Sequence, residues 1–262
     1  MPPQFVSLGP FTLNLYTLLI VLATLAPPVW AWFRTRDGRI ALATSVVAFG
    51  ALAFGRAGYV ALHWDYFRDH SGEILALAGL SEHAAVIGGL IAARSLRAVP
   101  CLSGMRHSLL TAQFILVGIA ASIGCIPNGC AYGREVFWQT DGEHSLAWLL
   151  RADWPDAYTI QNPRWPTQAL MALWLAAIGV VHLILEARHR SGSCFPHLLG
   201  LLGCASLGDF LIQFLRGDPA PMLAGLRLYQ WLDLLSVAWC TAMLLVIAAR
   251  AYRDRRGNRS AC

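Results

Sequence analysis

Lysine is absent: all 20 basic residues of the 262-residue chain are arginine, and nothing in the sequence accounts for that physically. Charge of either sign is scarce, at 13% of residues where a globular chain carries about a quarter. With 56% hydrophobic residues and a mean hydropathy of +0.51, this composition excludes an ordinary soluble globule. Zinc-type spacing of cysteine and histidine is missing, so no metal is expected, and no cofactor either. Internal repeats are missing too, which counts against the paired-repeat architecture of transporters. The N-terminus lacks the basic flank and small-residue cleavage site of a removable signal, so the first apolar run reads as a retained helix. The net charge of +5 is no nucleic-acid signature, because the arginines lie between apolar runs and gather at one end of the chain.

What remains is apolar and periodic. Seven runs can each approach the roughly 20 residues that a bilayer crossing needs: Phe11–Phe33, Ile40–His63, His83–Val99, His107–Ile126, Thr167–Ala187, His197–Arg216 and Trp231–Ala249. The expectation is an all-α, polytopic membrane protein of about seven transmembrane helices, with residues 1–262 as a single integral-membrane domain. The third run is short, and Gly88-Gly89 within it predicts close packing or a broken helix. Arginine fixes the expected orientation: 13 of the 20 fall in loops one, three and five or in the C-terminal tail. That side is cytoplasmic by the positive-inside rule. The N-terminus and the tryptophan-rich segment at about 127–166, with Trp138, Trp148, Trp154 and Trp165, then lie outside, the latter along the membrane interface.

The stretch from Ala121 to Arg134, A-S-I-G-C-I-P-N-G-C-A-Y-G-R, interrupts this pattern where a helix should meet the headgroup zone. Gly124, Pro127 and Gly129 break regular helix, and irregular backbone at membrane depth survives only against protein or water. The stretch reads either as a plain helix end and turn or as a loop that offers Asn128, Arg134 and its own amides to a polar ligand. Cys125 and Cys130 can pair if they face an oxidising side; spacing leaves this open.

Ionisable groups inside a membrane are expensive and point to function. Ser206, Asp209, Gln213 and Arg216 recur every three or four residues, one stripe that must face the interior, and Arg56, Tyr59 and His63 do the same on the second run. Tyr16 and Glu82-His83 lie at similar depth. One reading is structural: Arg56 pairs with Asp209 or Glu82 and fixes helix register, with Asp209 the preferred partner. The other is a cavity for an anionic headgroup, because the guanidinium fork holds two phosphate oxygens at once. His83, beside a carboxylate, suits proton acceptance near neutral pH.

These residues fall into a known order. Leu8-Gly9-Pro10 with Tyr16, Gly55-Arg56-Ala57-Gly58-Tyr59, Gly79-Leu80-Ser81-Glu82-His83, the Ile123–Arg134 loop, Pro166-Thr167-Gln168 and Phe210–Arg216 together resemble bacterial prolipoprotein diacylglyceryl transferases across nearly the whole chain. The resemblance implies an inner-membrane enzyme of lipoprotein biosynthesis. Such an enzyme moves diacylglyceryl from phosphatidylglycerol to the thiol of a lipobox cysteine in a prolipoprotein signal peptide, releasing glycerol phosphate. By resemblance His83 is the base, Tyr16 and Asn128 orient the substrates, and Arg56, Arg134 and Arg216 hold the phosphate, with Gln168 and Asp209 also in the binding site. The chain departs from the family pattern at Ser122 and Asp209, where arginines are usual, at Gln213, where glutamate is, and at Trp165, where histidine is. An acid in place of an arginine inverts the local charge, so a paralogue that binds lipid without this reaction is the alternative, and a small transporter a more distant one.

Overall fold

The computed structural model describes residues 5–8, 11–75, 79–96, 105–137, 145–188 and 194–259. It opens with an antiparallel hairpin, β1 (Phe5–Leu8) and β2 (Phe11–Asn14), pairing Phe5 with Asn14 and Leu8 with Phe11. The first apolar run was expected to be helical from Phe11, but the helix α1 (Leu15–Thr35) starts four residues later. Asn14 sets that boundary: its side-chain oxygen caps the helix by accepting from the Tyr16 amide at 2.9 Å. Arg36 ends α1 in a left-handed conformation with its amide on the Trp32 carbonyl. Asp37 then caps α2 (Gly38–Leu62) through the Arg39 amide. The two helices are thereby joined by a tight turn that makes them antiparallel neighbours.

A single turn, α3 (Trp64–Phe67), and a 3-10 turn at Ser71–Glu73 precede α4 (Glu82–Ser95). Three longer helices follow: α5 (Met105–Asn128), α7 (Thr167–Arg188) and α8 (Cys194–Ile212), with the short α6 (Leu146–Leu150) between the first two. A two-residue hairpin, β3 (Met222–Leu223) with β4 (Leu226–Arg227), precedes the long terminal helix α9 (Leu228–Arg259).

Six described helices are long and apolar enough to cross a membrane, and the chain is an all-α multi-pass membrane protein. The third expected run differs. As α4 it has 14 residues, about 21 Å at 1.5 Å per residue, short of the roughly 30 Å hydrocarbon core. Residues 97–99 of that run lie outside the described residues. Helix α4 is instead laid closely on α2 through small residues: a Cβ on Gly88 would collide with Phe54 and the Gly50 carbonyl, and one on Gly50 would press on Ala92. Of the two expectations for the glycine pair, close packing is the one observed.

Burial runs opposite to that of a soluble bundle. Leu42, Phe49, Leu173, Leu183, Leu235 and Leu245 are exposed, as a hydrocarbon surrounding allows, while Arg56, Gln168, Asp209, Gln213 and Asp233 are buried. Apolar cores form where helices meet, Ile115 with Leu175 and Ile178 on one side and Leu199 with Leu202 and Cys240 on another. The expected outer segment carries no large regular element among its described residues. It is held by isolated bridges, Ala152 to Arg164 and Pro155 to Gln161, and by Arg164 bonding both Glu135 (2.7 Å) and Asp156 (3.0 Å). Trp138 lies outside the described residues.

Candidate active site

The helices enclose a cavity of about 1090 Å³, with Tyr16, Glu82, Asn128, Gln168, Asp209 and Arg216 on its polar wall and Ile20, Val47, Leu175 and Leu202 among its apolar lining. The stretch Ala121–Arg134 forms one side. The break expected at Gly124 and Pro127 does not occur: α5 runs through both to Asn128, since a proline one residue from a helix end removes little of the hydrogen-bond ladder, and the chain leaves the helix only from Gly129. Gly124 lets α5 approach until a Cβ would touch Tyr16. Gly129 has φ 62° and a Cβ there would overlap the Asp156 carbonyl, so only glycine fits. Cys125 and Cys130, left open by spacing, are joined as a disulfide. Asn128 donates to Asn14 Oδ1 (2.9 Å) and to the Gly124 carbonyl (3.1 Å), tying the loop to the cap that positions Tyr16. From the other side Thr167 donates to the Ala131 carbonyl (2.7 Å) and Gln168 to the Cys130 carbonyl (2.9 Å). The outer limb is clamped between two chain segments, with the Arg134 amide on the Leu215 carbonyl and the Trp165 amide on the Arg134 carbonyl.

A buried polar chain lies behind Glu82. The Nε2 of His83 stands 2.9 Å from Asp233 Oδ1. Gln213 Nε2 then donates to both Asp233 Oδ2 and Asp209 Oδ2, each at 3.0 Å. The expected inward stripe is thus real for Asp209 and Gln213, both buried. Its expected pairing is not: no Arg56–Asp209 or Arg56–Glu82 ion pair occurs among the described residues. Arg56 reaches the carbonyls of Glu73 (2.6 Å), Ile74 (2.7 Å) and Gly79 (3.0 Å), and its guanidinium sits over the Phe67 and Tyr59 rings. Five donors in a fixed fork suit three converging carbonyls, which the 3-10 turn at Ser71–Glu73, its cap Ile74 and Gly79 present. Arg56 therefore shapes the loop above Glu82 and is not on the cavity wall. Nor are His83 and Arg134; the Arg134 side chain is exposed.

Arg216 is on the wall, and its forked face is engaged by Asp218, with Nε to Oδ1 at 2.9 Å and Nη2 to Oδ2 at 2.6 Å. Arg227, delivered by the β3–β4 hairpin, bonds the same carboxylate at 3.1 Å. Burial alone would push the Asp218 carboxyl up, but the Arg216 hydrogen bond and the charges of Arg216 and Arg227 hold it below the usual carboxylate range.

A lipid-sized cavity with an arginine at its polar end and a buried histidine–carboxylate pair behind it narrows the field, and comparison decides it. A family model described as prolipoprotein diacylglyceryl transferase matches residues 3–247. The chain belongs to this family. Among curated relatives, phosphatidylglycerol–prolipoprotein diacylglyceryl transferases are 26% identical in Bacillus velezensis, covering 97% of this chain and 95% of theirs. Those of Bacillus cytotoxicus are 28% identical (96% and 94%), and those of Thermosynechococcus vestitus 27% (90% and 89%).

Seen as a member of the diacylglyceryl transferase family, the chain shows how its departures are accommodated. Ser122 donates back to the Gly118 carbonyl of its own helix at 2.8 Å, and Asp209 is held by Gln213. Sequence reasoning missed Asp233, Asp218 and Arg227. Asp233 was the findable one: Tyr229, Gln230 and Asp233 share a face at three- and four-residue spacing, but the apolar run was begun at Trp231 and hid the stripe.

Proposed function

We propose that this chain is a phosphatidylglycerol–prolipoprotein diacylglyceryl transferase of a bacterial cytoplasmic membrane. Family membership supports the reaction, and the single structural observation that carries it is the cavity, mostly apolar in its lining, with Arg216 and Glu82 among its charged lining residues. Acyl chains lie against the apolar lining and the phosphate approaches Arg216. The thiol sulfur of a prolipoprotein cysteine attacks a glycerol carbon of phosphatidylglycerol. A C–S bond forms, the C–O bond to phosphate breaks, the thiol proton passes to a protein base and glycerol phosphate departs. His83 belongs to that base. Tyr16 and Asn128, linked through Asn14, orient the substrates, and Gln168 holds the loop that contacts them. Arg216 supports the leaving phosphate, joined by Arg134 from the exposed edge, while Arg56 acts by shaping the loop over the site. Residues 1–262 act as one membrane unit, N-terminus outside and C-terminal tail in the cytoplasm, a reading that the arginine distribution supports.

A second reading is a paralogue that binds lipid without transfer, favoured by Asp209 and Ser122 where the family usually has arginine. Complementation separates the two. Expression in a transferase-depleted bacterium, from a gene carrying a reporter after Arg259, should restore lipidation of a reporter lipoprotein and show cytoplasmic reporter activity. Lipid binding without lipidation favours the paralogue, and a periplasmic signal overturns the orientation.

A further inference from the structure

We infer that Glu82 is the catalytic group that first receives the thiol proton, with His83 behind it as the second acceptor and Asp233 as the positioning residue of His83. This rests on the transferase reading. The geometry makes the division of labour. Glu82 is on the cavity wall and His83 is not; the Glu82 side chain is half exposed whereas that of His83 is 11% exposed. The two face each other, with Glu82 Oε1 3.9 Å from His83 Nδ1. Tyr16, Asp209, Arg216 and Tyr229, from four other segments of the chain, line the same cavity as Glu82, and His83 is its chain neighbour.

The tautomer of His83 completes the path. An ionised Asp233 can only accept, which assigns the hydrogen of the 2.9 Å contact to Nε2, and in a neutral ring the lone pair is then on Nδ1. That atom is buried and has no hydrogen-bond partner among the described residues, an expensive state unless something is delivered to it. It points at Glu82. The step balances: the S–H bond breaks as the C–S bond forms, the proton goes to a Glu82 oxygen, and the Glu82 acid passes it to Nδ1, giving an imidazolium stabilised by Asp233. Gln213 keeps Asp233 in place by donating to its second oxygen, so that the carboxylate cannot turn away from the ring.

The test uses the full-length protein in phosphatidylglycerol-containing vesicles with a cysteine peptide acceptor. Glu82→Gln should lower kcat at pH 7 by about 100-fold or more, with KM for phosphatidylglycerol unchanged. Its rate should recover as pH rises through the ordinary thiol value of about 8.5, because an acceptor that is already a thiolate needs no base. Asp233→Asn should lower kcat in the same way, since an amide that donates to Nε2 forces the hydrogen onto Nδ1, and Asp233→Glu should restore part of it. Unchanged kcat in Glu82→Gln, or a deficit that persists undiminished at pH 9.5, overturns the relay while leaving the transferase reading intact. Absence of transfer by the unsubstituted protein overturns that reading and the relay with it.

Discussion

His83→Ala abolishes detectable transfer, a fall of about 10²- to 10⁴-fold as expected for loss of a general base, in a protein still inserted in the membrane. Two features make the effect large. His83 is the group that bonds the buried Asp233, and its Nδ1 is the unpartnered acceptor behind the cavity wall. Removing the ring also strands a carboxylate that Gln213 alone cannot satisfy, a cost of several kcal/mol for a buried charge. His83→Gln separates the two consequences: its amide still donates to Asp233, so stability returns while transfer does not. His63 provides the control. It also lines the cavity, but it is exposed, stacks on Tyr59 and has its Nδ1 on the Tyr59 carbonyl. His63→Ala leaves kcat within a few-fold of the natural protein. Normal turnover in His83→Gln would remove histidine from the mechanism.

Arg216→Ala lowers kcat by about 10²- to 10³-fold, the cost of losing one preformed donor to developing negative charge, roughly 2.7–4 kcal/mol. Arg216→Lys recovers little, because an ammonium cannot hold Asp218 through two parallel N–H groups and still keep further fixed donors for a phosphate. The substitution also has an acid signature. The folded-state pKa of Asp218 is depressed, so its ion pairs stabilise the fold above the unfolded value of about 3.9 and lose that contribution as pH falls through the lower folded value. In Arg216→Ala the partner left is Arg227, the depression shrinks, and acid unfolding begins at a higher pH than in the natural protein. Circular dichroism against pH reads this independently of catalysis. Unchanged acid stability together with unchanged kcat would mean that the Arg216–Asp218 pair serves neither role.

Much of this arrangement was legible in the sequence because a membrane chain has a nearly uniform apolar background. Against it Asp209 and Gln213 stand out, and helical spacing alone places them inward. The start of α1 was misplaced, although Asn14 is a good cap residue that marks it. What spacing cannot supply is the identity of a partner. Arg56 is buried, as expected, yet its described partners are the main-chain carbonyls of Glu73, Ile74 and Gly79, which have no side-chain signature. The contact between His83 and Asp233 joins positions 150 residues apart, and a lone acid in an apolar run says only that it must find something. The starting hairpin was hidden for a different reason: Phe11–Leu13 is apolar enough to merge with the helix that follows. The third span was overestimated because apolar length was read without the glycine contacts that pin α4 to α2.

The central claim is that this cavity moves diacylglyceryl from phosphatidylglycerol to a cysteine thiol. Purified protein in phosphatidylglycerol vesicles, given a lipobox peptide, should yield thioether-linked diacylglyceryl peptide and glycerol phosphate in equal amounts, with no product from a peptide whose cysteine is serine. Saturable binding of phosphatidylglycerol and peptide with neither product formed would contradict it.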